Sequence, residues 1–176
     1  MKSPSSVRVG EKYPTKCGDL VVEKYVSALE VVVKFVDTGF RTVTNAGNIR
    51  KGSVKDPCVP SVFGVGFLGL GEHKANSRRV RSSAYTCWHN MIKRCYCKKY
   101  QEKQPWYSGC SVDPSWHNFQ NFADWYYDNF VEGFELDKDI RTLGNKVYSP
   151  AFCQFVPLQA NRSHKSSYVL RTRSKK

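Results

Sequence analysis

The residue types able to do chemistry in this 176-residue chain concentrate in FELDKDIRTLGNKVYSPAFCQFVPLQAN, residues 134–161. Two carboxylates, Asp137 and Asp139, flank Lys138, and a phenol, Tyr148, and an amide, Asn161, follow. Carboxylate and amide oxygens are hard donors of the kind a divalent cation prefers. With a lysine beside them, they make the phosphodiester bond the leading candidate substrate.

The elements that must position these groups can be read from the same stretch. Phe134, Leu136 and Ile140 are apolar around the two aspartates, which suits a short strand with a carboxylate at its end. Gly144-Asn145-Lys146 supplies turn formers, and Tyr148-Ser149-Pro150 breaks the chain again before the apolar run from Phe152 to Val156. A hairpin with a long loop is expected. Pro157 suits the first turn of a helix, where its missing N–H costs nothing, and Leu158 to His164 would continue it.

On these residues the segment resembles the ββα-metal core of HNH endonucleases, in a phage-type branch whose pattern, LD(K/R)-D-I followed by G-N-K-x-Y-S-P-x-x-C-x-F-V-P and a final N, replaces the usual Asp-His pair. Tyr85, Trp88, Met91, Arg94 and Cys95 in AYTCWHNMIKRCY resemble the helical lead-in of that branch. So do Tyr107, Cys110, Val112 and Trp116 in YSGCSVDPSWHNF. The likeness runs from Ala84 to His164, about half the chain.

The resemblance implies a metal-ligating carboxylate at Asp137, a second ligand at Asn161 on the final helix, and Mg²⁺ or Mn²⁺ as the cofactor. Where commoner members carry the His that deprotonates the attacking water, this chain has Lys138. A lysine at its ordinary pKa is charged near neutral pH and does not serve as that base. In the branch with Arg or Lys here, a tyrosine on the intervening loop is the proposed substitute, and Tyr148 occupies that place. A phenol of pKa about 10 needs the metal or a nearby cation, Lys138 or Lys146, to lower it. His89 and His117 are the other candidate bases. The implied catalytic set is therefore Tyr148, Lys138 and Asp139, with Lys138 steadying developing charge.

Composition points to a polyanionic partner. There are 28 Lys and Arg against 15 Asp and Glu, a formal charge of +13, and such an excess favours nucleic acid through counterion release. The basic residues cluster as Arg78, Arg79 and Arg81, then Lys93 and Arg94 with Lys98 and Lys99, then Arg171 and Arg173 in the tail. Lys146 and Arg162 extend the set within the nuclease-like segment. Double-stranded DNA is the expected partner. Aromatic residues make up 14% of the chain, and Trp116, Phe119, Phe122, Ala123 and Tyr126 recur at helical spacing, as a buried face would.

Other classes are excluded or disfavoured. Mean hydropathy is −0.53 and no apolar run is long enough to span a bilayer, so no membrane partner is expected. The opening MKSPSSVRVGEK lacks the apolar core of a signal peptide, and a cytoplasmic location is expected. Seven cysteines, an odd number, argue for thiols rather than a disulfide framework. Cys95 and Cys97, with Cys110 and Cys153 later, do not make paired CxxC knuckles, so a structural zinc is the minor reading.

The amino-terminal half has a different texture. Asp19–Tyr25, Leu29–Val36 and Phe40–Thr44 are rich in Val, Phe and Thr, with Asp37-Thr38-Gly39 as a tight turn. They suggest a small antiparallel sheet or an SH3-like barrel. Gly64, Gly66 and Gly69 match a dinucleotide fingerprint only weakly, because no strand-to-helix unit surrounds them, and no nucleotide cofactor is expected. These glycines suit a close-packed connection or tight bends.

The expected fold is α+β, with a small antiparallel β module ahead of a helical lead-in and a ββα-metal core. Its expected divisions are a flexible N-terminus at 1–12, a DNA-positioning β module at 13–72, a basic linker at 73–83, the nuclease-like domain at 84–164 and a basic tail at 165–176. The activity expected is that of an HNH-type endonuclease or nickase, phage- or mobile-element-encoded, homing enzymes included. A monomer would nick one strand and a homodimer would cut both. Two alternatives are a catalytically inactive DNA-binding protein and a phage protein that inhibits a host enzyme.

Overall fold

The computed structural model describes residues 6–159, and Asn161, Arg162, Arg171 and Arg173 lie outside the described residues. The fold is α+β. The chain divides into two compact units, one ending at Val59 and one beginning at Pro60.

The first unit is a four-stranded antiparallel meander: β1 (Lys12–Thr15), β2 (Gly18–Ser27), β3 (Glu30–Phe35) and β4 (Arg41–Thr44). The alternation that marked these strands sends Leu20 and Val22 of β2, and Val31, Val33 and Phe35 of β3, into one core with Tyr13 of β1. A short helix, α1 (Ala46–Arg50), closes that core with Ala46 and Ile49. Its Asn45 cap accepts the Asn48 N–H. The N-terminus expected to be flexible through residue 12 is in the sheet from Gly10 onward: Gly10 N donates to Val22 O, and Val22 N to Glu11 O.

The boundary near residue 72 is corrected by the packing of the glycine-rich run, which belongs to the second unit. Val62 lies in that unit's core, and Phe67 bridges to the chain around Asn118. Gly66 has no room for a side chain, since a Cβ there would lie 2.8 Å from the Trp88 ring. Gly69 needs its positive φ of 71° and would meet the Asn118 side chain. The expected close-packed connection is therefore present, on the other side of the boundary. The expected linker at 73–83 is instead a hairpin, β5 (Asn76–Ser77) against β6 (Val80–Arg81).

The second unit is built on two helices, α2 (Ser83–Tyr96) and α4 (Phe119–Asn129), with the short α3 (Lys98–Lys103) between them. Ser82 caps α2 by accepting the Tyr85 N–H, and Ala84, Trp88, Met91, Ile92 and Cys95 form its buried stripe. On α4, Phe119, Phe122, Ala123 and Tyr126 face inward, and Trp116 lies buried in the turn just ahead of it. The aromatic series expected at helical spacing is thus a core face. Buried Gln120 of α4 holds the glycine-rich segment, donating to Leu68 O and His73 O and accepting from His73 N.

Four further strands complete the unit: β7 (Ser111–Val112), β8 (Phe134–Asp137), β9 (Val147–Tyr148) and β10 (Gln154–Pro157), which closes a long-looped hairpin on β8. Phe155 of β10 packs between Trp125, Tyr126 and Phe130 of the α4 region, with ring centroids 5.4–5.6 Å apart. Pro157 is the last residue of β10, opposite Phe134, rather than the first of a helix. Helical backbone begins at Leu158, and its expected continuation to His164 lies outside the described residues. No helix among the described residues is long and apolar enough to cross a membrane.

Candidate active site

Asp137 sits at the end of β8, opposite Gln154 of β10, and is only 4% exposed. Its Oδ1 accepts the N–H groups of Asp139 and Ile140, each at 2.8 Å. The carboxylate thereby folds the chain sharply back around itself, which is why Ile140 leaves the strand that its apolar character suggested. Burial, followed by the adjoining Asp139 carboxyl, pushes the Asp137 pKa up, although the two backbone donors oppose the shift.

Lys138 points into the loop. Its Nζ lies 2.6 Å from Asn145 O and 3.2 Å from Asp139 Oδ2, with 11% of the side chain exposed. Asn145 closes the same loop from the other side. Its Nδ2 donates to Lys138 O and Val147 O at 2.7 Å, and its Oδ1 accepts from Val147 N. One amide therefore fixes both ends of the stretch from 138 to 147. Sequence reasoning treated Asn145 only as a turn former. The signal available was an amide directly before a short strand, where it can satisfy the backbone of a loop with no ladder of its own.

The loop is then docked on the rest of the unit. β9 runs parallel to β7, with Ser111 N donating to Lys146 O and Asp113 N to Tyr148 O. Lys146 Nζ donates to Trp106 O at 2.7 Å and to Ser108 O at 3.4 Å, so this lysine, expected in the DNA-contacting set, also tethers the loop.

Tyr148 does not fit the role of base. The side chain is 3% exposed and belongs to the core with Trp88, Cys95 and Val112. Burial pushes its phenol well above the ordinary value, against the smaller opposing effect of the neighbouring Arg94. The strand that carries it pairs with β7, and the hydroxyl is hydrogen-bonded to the Arg94 side chain. Arg94 is correspondingly half-buried, over the Tyr107 ring at 5.5 Å, and acts as a core cation rather than a surface contact to DNA.

The two histidines are also engaged elsewhere. His117 Nε2 lies 3.1 Å from Val112 O and 3.4 Å from Tyr96 OH. His89 packs against Phe63 and Tyr85, and burial, with Arg81 and Lys93, lowers its pKa. Neither ring contacts the β8–β10 hairpin among the described residues. The structure therefore brings together Asp137, Lys138, Asp139 and Asn145, with the buried Tyr148 ring 6.0 Å from Lys138 Nζ.

Two carboxylates meet one ammonium here, which leaves net negative charge in a half-buried site. A divalent cation would neutralise that charge, and the oxygen donors are of the type Mg²⁺ and Mn²⁺ take. Among the described residues no group of three or more His, Cys, Asp or Glu side chains converges. With the described residues alone, the remaining positions of such an ion would fall to water and phosphate. All seven cysteines are free thiols, and burial raises Cys95 and Cys153 to about 12.

The remaining DNA-contacting candidates are on the surface. Arg78, Arg79 and Arg81 are exposed on the β5–β6 hairpin, and Lys98 and Lys99 are exposed at the start of α3. Lys93 lies over the Tyr100 ring at 4.9 Å. In comparisons with models of protein families, with curated proteins and with solved structures, nothing matches this chain.

Proposed function

We propose that this chain is a divalent-metal-dependent endonuclease or nickase of HNH type that acts on double-stranded DNA. The observation that carries the reading is the β8–β10 hairpin, with a buried carboxylate at its strand end and an Asn145-clamped loop that sets Asp139 and Lys138 beside it. The charge of +13 supplies the attraction to the substrate.

Asp137 would hold the metal, with Asn161 as the second ligand carried over from the family likeness. The metal would supply Lewis-acid stabilisation of the phosphate and the leaving oxygen. Asp139, its side chain 27% exposed and bound on one oxygen by Lys138, would accept the proton of the attacking water. Lys138 acts as a positioning residue, holding Asp139 through one contact and the loop through the other.

Conversion of supercoiled plasmid to nicked or linear form, with Mg²⁺ or Mn²⁺ against EDTA, tests this reading. Cleavage that depends on the metal supports it, and binding without cleavage of the natural DNA under any metal overturns it in favour of a catalytically silent DNA-binding protein. That second reading draws on one observation, the withdrawal of Tyr148, His89 and His117 from any base role.

Two substitutions sharpen the assignment. Tyr148→Phe removes only a buried hydroxyl and is expected to change the cleavage rate by less than about threefold, whereas losing a true general base costs about 100-fold or more. Asn145→Ala removes three hydrogen bonds that orient the loop and is expected to slow cleavage by about 10–100-fold, as loss of an outer residue that orients a metal site does. Faster hydrogen exchange across residues 138–147 should accompany it.

A further inference from the structure

The β5–β6 hairpin has a two-residue turn, Arg78-Arg79, between the register pairs Ser77↔Val80 and Asn76↔Arg81. Both turn residues have positive φ, 48° and 67°, the arrangement of a type I′ turn, in which Asn-Gly is the favoured pair because other side chains are strained there. Phe63 is the sole other non-glycine residue with positive φ among the described residues. Two adjacent arginines at such a turn are a poor choice for folding alone. Strained positions of this kind persist where the side chains have work to do.

Both arginines are exposed, and among the described residues neither makes a hydrogen bond or an ion pair. The base of the ribbon is fixed: Ser82 N donates to Ala75 O, Ala75 packs on the unit's core, and Ser82 caps α2. Arg81 extends over the Tyr85 ring at 5.7 Å. From His73 to Gln101 the chain carries no acidic side chain, so nothing within that stretch neutralises the tip. A rigid root with two unpaired guanidinium groups at a projecting tip suits the phosphates of a duplex, which arginine engages in bidentate fashion.

We propose that the Arg78-Arg79 hairpin is a DNA-gripping finger, separate from the β8–β10 hairpin, whose two arginines contact phosphates of the duplex. The proposal rests on the nucleic-acid part of the function above and not on cleavage.

The double variant Arg78→Asn, Arg79→Gly separates grip from fold, because it installs the favoured type I′ pair while removing both charges. The full-length chain and this variant are compared by fluorescence anisotropy on a labelled mixed-sequence DNA duplex in EDTA across a KCl titration, together with thermal melting. The expected result is an unchanged or higher Tm, affinity lowered roughly tenfold, and a slope of log affinity against log salt that is shallower by about two, one for each lost phosphate contact. Unchanged affinity and slope would overturn the proposal, as would a lower Tm, since the turn would then not be strained. Because no metal is present, a wild type that binds but never cuts leaves this result intact while contradicting the nuclease assignment.

Discussion

Asp137→Asn is expected to abolish cleavage and, in the absence of metal, to raise Tm by a few degrees. Asparagine keeps the oxygen that accepts the Asp139 and Ile140 N–H groups, so the turn after β8 survives the change. It loses the charge that burial and the Asp139 carboxyl oppose. A carboxyl whose folded pKa is raised gives its stabilising contribution below the ordinary carboxylate range and loses it as pH rises through the folded value. At neutral pH the wild type therefore carries the cost of an ionised, buried Asp137, and the asparagine variant does not. Melting curves without metal from mildly acidic to neutral pH should show the two proteins converging on the acid side and separating toward neutral. Cleavage should fall by more than about 100-fold, because even residues that only orient metal ligands cost about 10–100-fold when removed. Such a gain in stability at the expense of activity marks a site kept for its chemistry.

The second large effect is on the core that carries this site. Trp88 of α2 is fully buried, with Tyr85 and Phe119 at ring-centroid distances of 5.5 Å and Gly66 against its edge. Its indole N–H donates to Trp116 O at 2.7 Å. Trp88→Ala removes the ring and leaves that buried carbonyl without its donor, a combination expected to cost about 3–5 kcal/mol. Against a typical total of about 5–15 kcal/mol, a loss of this size leaves the second unit marginal. All four tryptophans, Trp88, Trp106, Trp116 and Trp125, lie in that unit, so urea unfolding followed by tryptophan fluorescence reports on it. The midpoint should fall steeply in Trp88→Ala and much less in Trp88→Phe, which refills most of the volume. A midpoint in the alanine variant close to wild type would contradict the packing described.

What the sequence makes legible, and what it hides, divides along physical lines. The strands β2 to β4 stand out because Val and Phe alternate around a turn of Asp37-Thr38-Gly39. β1 is hidden by Pro14 and by the polar opening that precedes it, since its pairing is decided by β2 rather than by its own residues. The boundary between the units is misplaced because a run of glycines has no periodicity to assign it. Its allegiance is set by Gly66 against Trp88 and by Gln120, which lie far away in the chain.

In the candidate site, Asp137 and the long-looped hairpin are legible because strand-end carboxylates and turn formers are local signals. The placement of Tyr148 is not, because β9 is only two residues long and its burial comes from β7 and Arg94. Nothing adjacent in sequence distinguishes a loop tyrosine that faces substrate from one that faces the core. The same limit applies to Lys146, whose ammonium finds carbonyls of Trp106 and Ser108 about forty residues upstream.

The most direct test of the central claim is single-turnover cleavage of one DNA by wild type and Asp137→Asn in Mg²⁺ or Mn²⁺, at protein concentrations adjusted to give equal occupancy of the DNA. The account predicts metal-dependent strand scission by the wild type and none above background by the variant. Equal cleavage by the two proteins, or scission by the wild type that persists in EDTA, would contradict it.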